Sequence, residues 1–167
     1  MKVKEMFDIN QGHQITDEEI YNTEGIIPVI TARNEIKGHW NKSIVVKDDI
    51  PCITYPTKAN SGEAYVQYDI FDANNTAVLI PKKEWREKIF LEWFAYKLSK
   101  TFLKIATSKE GVNYLNREIV EEMDFDIPSI KDQKKEYQSV EKLIKIRNKL
   151  VIIFENVDSI LNKEIVI

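Results

Sequence analysis

Two clusters of polar side chains carry most of the chemistry this sequence offers. Thr31, Arg33, Asn34, Lys37, His39 and Trp40 follow one β-branched run, and Tyr55, Thr57, Lys58, Asn60 and Ser61 follow another. Arg and Lys suit guanine, Asn suits adenine and Thr meets the thymine methyl, while Ser, Thr and Lys also hold phosphates. Polar loops are common, so composition leaves open whether these read bases or are plain surface. Lys82, Lys83, Arg86 and Lys88 form a third group suited to phosphate. They lie in the basic middle of an otherwise acidic chain. Residues 71–117 carry nine basic and five acidic groups, against seven and eleven in residues 1–70 and eight and eleven in residues 118–167, for a net charge of −3. Lys97, Lys100 and Lys104 add to this stretch, and an ordinary solvated helix face is the alternative reading.

Reaction chemistry is not visible. The sequence has no phosphate-binding Gly-x-x-x-x-Gly-Lys, no Gly-x-Gly-x-x-Gly, no Gly-x-Ser-x-Gly, no His-Glu-x-x-His and no Asn-Pro-Pro-Tyr-like methyltransferase motif. Asp132 and Lys134 superficially suggest a nuclease centre, but in the first turn of a helix they read as capping and solvation. Cys52 is the single cysteine and the histidines are His13 and His39 only, too few for an internal disulfide or a zinc site. Cys52 is therefore expected as a buried strand residue. No catalytic residue, metal or cofactor is predicted.

The elements that must position these groups read as follows. With 167 residues, 43% hydrophobic and 31% charged, the chain fits one globular domain, or a smaller domain plus an extended element. No apolar run is long enough to span a bilayer, and Met1–Glu5 lacks the apolar stretch of a signal peptide, so a cytoplasmic, non-membrane protein is expected. Strands are predicted at 26–31, 43–46, 51–55, 64–68 and 76–80, with a last short one near 123–128. They stand too close together for βαβ crossovers, which favours an antiparallel or mixed sheet. Residues 56–63 hold turn formers without an apolar anchor and should project. From Glu84 the period becomes helical through Trp85, Ile89, Trp93, Phe94 and Leu98, giving about four turns whose aromatic face packs on the sheet.

From Ser129 onward no Gly or Pro interrupts the chain, and Asp132 completes a capping-box-like start. A helix to about Asn162 would run roughly 50 Å. Its apolar positions keep a seven-residue register: Val140, Phe154 and Leu161 in one row, Leu143, Leu150 and Val157 in the next, Ile144 and Val151 beside them. Such a stripe argues for a partner helix. The fold class predicted is thus α+β: a mixed or antiparallel sheet domain with packed helices over 1–127, then one long coiled-coil-like helix over 128–167.

The order of motifs resembles a known family. Phe7-Asp8-Ile9-Asn10-Gln11-Gly12, then Ile15-Thr16 and Gly25-Ile26-Ile27-Pro28-Val29-Ile30-Thr31, resembles the opening of a target-recognition domain in the specificity subunits of type I restriction-modification systems. Ile53-Thr54-Tyr55 through Asn60-Ser61-Gly62-Glu63-Ala64 is similar to the family's strand and Gly-containing turn, and Asn74 to Pro81 to a later strand. Phe125-Asp126-Ile127-Pro128-Ser129-Ile130, followed by Gln133, resembles the boundary that leads into its long helix. The resemblance implies sequence-specific binding of double-stranded DNA without catalysis, with the helix as spacer and docking surface for modification (methyltransferase) subunits, and with a motor-nuclease subunit reached through the complex. Specificity subunits commonly carry two recognition domains. One here implies a half-subunit that forms a homodimer or pairs with a different half. Methyltransferase partners would supply much of the phosphate contact, which makes an acidic recognition domain tolerable. The runner-up reading is a protein–protein adaptor assembled through the long helix, and the third an enzyme with an unrecognised site.

Overall fold

The structure is a computed structural model that describes residues 1–57, 63–106 and 114–164; the side chains at 106, 147–148, 151–152 and 154–164 are not described. The chain runs α1 (Val3–Met6), β1 (Phe7–Gln11), α2 (Asp17–Tyr21), β2 (Ile27–Thr31), β3 (Ile36–Trp40), β4 (Cys52–Pro56), β5 (Tyr65–Gln67), β6 (Asp72–Asn74), β7 (Thr76–Pro81), α3 (Leu91–Ala106), α4 (Arg117–Glu121) and α5 (Ile130–Glu164). Strands β1-β7-β4-β5 form an antiparallel sheet, while β3-β2-β6 form a smaller mixed one in which β2 and β6 are parallel. The α+β expectation with antiparallel and mixed pairing therefore holds.

Strand alternation explains the layering. Phe7, Ile9, Ile53, Tyr55, Ala77 and Leu79 share one cluster with Trp93, Phe94, Leu98 and Phe102 of α3. The alternate residues Cys52, Val78 and Ile80 pack instead with Ile30, Val45, Phe71 and Ala73 on the small-sheet side. Covered on both faces, the central strands β4 and β7 are buried throughout. A third cluster, Ile15, Val29 and Trp40, packs beneath Ile20 of α2. Cys52 is buried as expected, and burial pushes its thiol up to about 12.

Several local expectations fail for physical reasons. Ser43–Val46 is not a strand: the Ser43 hydroxyl lies 2.7 Å from the carbonyls of both Val45 and Phe71, which share its one proton, and a 3-10 turn follows at Lys47–Asp49. Its place in the small sheet is taken by β3, expected as loop. That strand is an edge, with Lys37, Gly38 and His39 breaking the apolar alternation. Gly38 is needed there, since a Cβ would stand 2.5 Å from Ile20 Cγ2. β6 is a strand where none was expected. Residues 123–128 form no strand, only a bridge between Lys2 and Asp124. The aromatic helix starts at Leu91 rather than Glu84, because Lys83–Trp85 closes a 3-10 turn after Pro81. Trp93 and the half-buried Trp85 both belong to the core, as expected. The end of α4 is tied to α1, where hydrogen bonds from Lys2 and Lys4 hold the Glu122 carboxyl down at about 2.

α5 starts as the sequence predicts. The Ser129 hydroxyl donates to the Asp132 carboxylate (2.6 Å) and accepts from Asp132 N–H (3.3 Å). One turn on, Gln133 is fully buried with its amide satisfied on both sides. Its Oε1 accepts from Phe90 N–H (2.7 Å), just before α3, while its Nε2 donates to the carbonyls of Lys88 (2.8 Å) and Pro128 (2.9 Å). Glu136 accepts from Trp93 Nε1 and from Lys97 Nζ, both at 2.7 Å, and Tyr137 meets Phe90 edge-on at 5.5 Å. Gln133→Ala strands three part-buried backbone groups, each worth roughly 1–3 kcal/mol when unpaired and only partly rewatered. Urea denaturation should show a loss of about 2–4 kcal/mol in unfolding free energy.

Candidate nucleic-acid interface

Strand register brings several loops to one end of the two sheets. Pro56 pairs with Thr76, Gln11 with Ala77 and Thr31 with Asn74, so the C-terminal ends of β1, β2 and β4 meet the corner between β6 and β7. That corner is tightly built. Asn75 takes φ 55°, its N–H donates to His13 C=O (3.0 Å), and Gly12 N–H donates to Thr76 C=O (2.9 Å). A Cβ on Gly12 would lie 2.2 Å from that same carbonyl oxygen, so only glycine lets the chains approach this closely. Asn74 is buried, and its Oδ1 accepts from Ile15 N–H at 2.8 Å.

Two polar loops emerge at this end. The first is the β2–β3 turn, where Asn34 N–H donates to Thr31 C=O and Thr31 N–H to Glu35 C=O, both at 2.9 Å. Asn34 adopts φ 62°, a left-handed conformation that asparagine tolerates better than most residues. Arg33, Asn34 and Glu35 are exposed at the tip. The half-buried Gln67 of β5 reaches across, its Nε2 donating to Asn34 Oδ1 (2.6 Å) and to Thr54 Oγ1 (2.9 Å). Gln67 was not among the sequence candidates, for its role shows only once a partner 33 residues away is known. The second loop leaves β4 at Thr57, whose hydroxyl donates to Asn75 C=O (3.1 Å) and whose carbonyl accepts from Leu115 N–H (2.8 Å). It returns at Ala64, held by a hydrogen bond from its N–H to Ser99 Oγ (2.9 Å). Lys58, Asn60 and Ser61 lie outside the described residues.

The remaining candidates fall elsewhere. Trp40 is 2% exposed and Tyr55 fully buried, so neither can meet a base: Trp40 packs in the third cluster and Tyr55 faces α3, its ring 5.8 Å from Phe102. Burial also pushes the Tyr55 phenol up. Thr31 spends its hydroxyl on the turn, accepting from Glu35 N–H at 3.3 Å. Lys37 is half-buried, donates to Ile15 C=O and stands 3.0 Å from Asp17, so it fastens α2. His39 is exposed but pairs with Pro28, away from the turn.

Lys82, Lys83, Arg86 and Lys88 follow the other end of β7, about 20 Å along the strand direction from the turn. Lys82 is half-buried and donates to Lys4 C=O (2.7 Å), and Arg86 Nε donates to Pro81 C=O (3.3 Å). Lys83 and Lys88 are exposed, with Lys88 Nζ 5.2 Å over the Trp85 ring. The base-reading and phosphate candidates are therefore not brought together. Among the described residues no group of three His, Cys, Asp or Glu could hold a metal, and no helix is long and apolar enough to cross a membrane.

Beyond Tyr137 the long helix carries exposed Leu143, Ile146, Leu150 and Ile153, 48–64% accessible and spaced three, four and three residues apart. Val140 and Ile144 are half-buried. The other expected interface side chains, at Val151, Phe154, Val157 and Leu161, lie outside the described residues. Ile146 and Ile153 were not in the expected rows, but they complete the heptad spacing with Leu143 and Leu150.

The two sheets thus carry polar loops at one end, and the long helix carries a row of exposed apolar side chains. The chain belongs to the type I restriction modification DNA specificity domain family, whose sequence model matches residues 1–152. It is 25% identical over 134 residues to a proposed type I specificity subunit of Mycoplasma pneumoniae, covering 80% of this chain and 36% of that protein. Its fold is similar to the type I restriction-modification S subunit of M. genitalium (TM-score 0.60, 20% identity, 93% of this chain and 43% of that one). It is also similar to the HsdS subunit of Thermoanaerobacter tengcongensis (TM-score 0.59, 14% identity, 91% and 38%). A structure describing complex assembly and conformational transition of the type I system matches over 98% of this chain and 42% of its own, with TM-score 0.68 and 14% identity. The chain thus spans less than half the length of these relatives.

The corner that anchors both loops gives a direct test. Asn74→Ala removes the acceptor for the buried Ile15 N–H, which should lower stability by about 1–3 kcal/mol in thermal or urea unfolding.

Proposed function

We propose that this chain recognises a short double-stranded DNA sequence as the specificity component of a restriction-modification methyltransferase complex, without catalysis of its own. The observation that carries this reading, beside family membership, is the convergence of the Arg33–Asn34 turn and the pinned ends of the 57–63 loop at one end of the sheets. Arg33, Asn34, Thr57, Lys58, Asn60 and Ser61 are the base-reading residues of this proposal. Lys83 and Lys88, at the opposite end, serve phosphates of a flanking segment or of duplex bent along the domain. The body over 1–127 reads, and the segment over 128–167, through α5, pairs in coiled-coil fashion with a second copy or a second half and docks the modification subunit. A motor-nuclease subunit would be reached through that complex. The protein then works in the cytoplasm and needs no cofactor.

A protein–protein adaptor is the second reading, favoured by the exposed seam Leu143, Ile146, Leu150 and Ile153. Selection from a randomised duplex pool, with the chain in complex with its co-purifying methyltransferase at near-physiological salt, separates the two. Enrichment of one short motif, or of two copies at fixed spacing, supports DNA recognition, with Arg33→Ala or Lys58→Ala abolishing the preference while the fold stays intact. An intact complex that enriches nothing leaves the adaptor. The arm is tested separately: Leu150→Asp should split the dimer or release the methyltransferase, read as a fall in complex mass by light scattering, and an unchanged mass removes the docking role.

A further inference from the structure

The hydrogen bonds behind the β2–β3 turn run in one direction. The Thr54 hydroxyl donates to Tyr65 C=O (3.3 Å) and accepts from the Gln67 amide nitrogen (2.9 Å). The second proton of that nitrogen goes to Asn34 Oδ1 (2.6 Å). Asn34 thus turns its oxygen toward Gln67 and its amide nitrogen away from it. Among the described residues no acceptor meets Asn34 Nδ2.

Arg33 is exposed beside it on the same tip and is itself a donor only. The orientation matters because a free asparagine reads adenine by giving one bond and taking one, and here the oxygen it would take with faces Gln67. Guanine presents two adjacent acceptors, N7 and O6, on one base, whereas the acceptors of an A·T pair flank the adenine amino group. Glu35, exposed on the same turn, suits the cytosine amino group that partners guanine. We infer that Gln67, through Thr54, sets Arg33 and Asn34 as a donor-only reader, and that this turn takes the guanine of a G·C pair. The inference rests on the DNA-reading role proposed above and adds to it a base identity and a positioning residue.

The test is duplex selection with the full chain in its methyltransferase complex, comparing wild type with Gln67→Glu and Asn34→Asp. The wild type should prefer guanine at one position by on the order of tenfold. In Gln67→Glu the introduced carboxylate can only accept, so Asn34 must turn its nitrogen inward and its oxygen out. Preference at that position should move to adenine or cytosine, whose amino groups donate, with the other positions unchanged. Asn34→Asp should do the same, because its carboxylate still accepts from Gln67 while facing outward as an acceptor. It decides alone if the melting curve shows that Gln67→Glu does not fold. A wild-type motif without guanine, or an enriched motif that Asn34→Asp leaves unchanged, overturns the inference while DNA recognition stands. No enrichment by wild type overturns the DNA-reading role and this inference with it.

Discussion

The buried amide of Gln133 is the interaction on which the arrangement of body and arm depends. Burying a neutral amide is unfavourable unless its donors and acceptor are met, and here both protons and the oxygen find backbone partners. Those partners are the groups that an apolar side chain would strand: the N–H at the entry of α3, the carbonyl of the turn before it, and the carbonyl of Pro128 at the entry of α5. One side chain thus ties together the starts of the two longest helices. Directionality makes this more than packing, because a glutamate of the same shape would bring a charge and no donors. Glu136, one turn later, repeats the pattern at the surface with Trp93 and Lys97.

This clamp also changes the meaning of the basic middle segment. Lys97 looks like a phosphate ligand in the sequence, yet it is paired with Glu136 and lies 5.3 Å over the Trp93 ring. Lys82 is similarly drawn to the backbone of α1. Part of the local excess of positive charge is therefore structural, holding α1 and α5 against the sheet. Lys83, Arg86 and Lys88 are the exposed remainder of the group first marked for phosphate. A local charge count cannot separate these roles, because the partners at Lys4 and Glu136 lie far away in sequence.

What was legible follows the same division between local and long-range signals. β2, β4 and β7 were readable because each holds a run of apolar and β-branched residues, and α5 because its cap and its uninterrupted periodicity are local. β3 and β6 were not: an edge strand containing Lys37, Gly38 and His39 has no apolar alternation, and β6 is three residues long with turn-forming Asp72 and Asn74 buried by their neighbours. At the candidate site, Arg33 and Asn34 stand at an exposed tip, as turn chemistry suggests. Tyr55 was misplaced although the information was present, since it falls two residues from Ile53 and so on the same core face. Trp40 could not be placed without β3, and Gln67 could not be found without its bond to Asn34.

The seam on α5 shows what the arm requires of a partner. Leu143, Ile146, Leu150 and Ile153 keep a spacing of three and four beyond Tyr137, which packs against the main core cluster. Each is about half exposed, so covering it is worth on the order of 1–2 kcal/mol. Across a two-fold pair eight such side chains give roughly 10 kcal/mol, which is the size of the freedom lost on association, about 4–15 kcal/mol. These four positions alone therefore leave a pair of helices near balance. The sequence continues the same spacing with Val157 and Ile160, so the remaining length of the helix, or the additional surface of a modification subunit, must decide whether the seam closes.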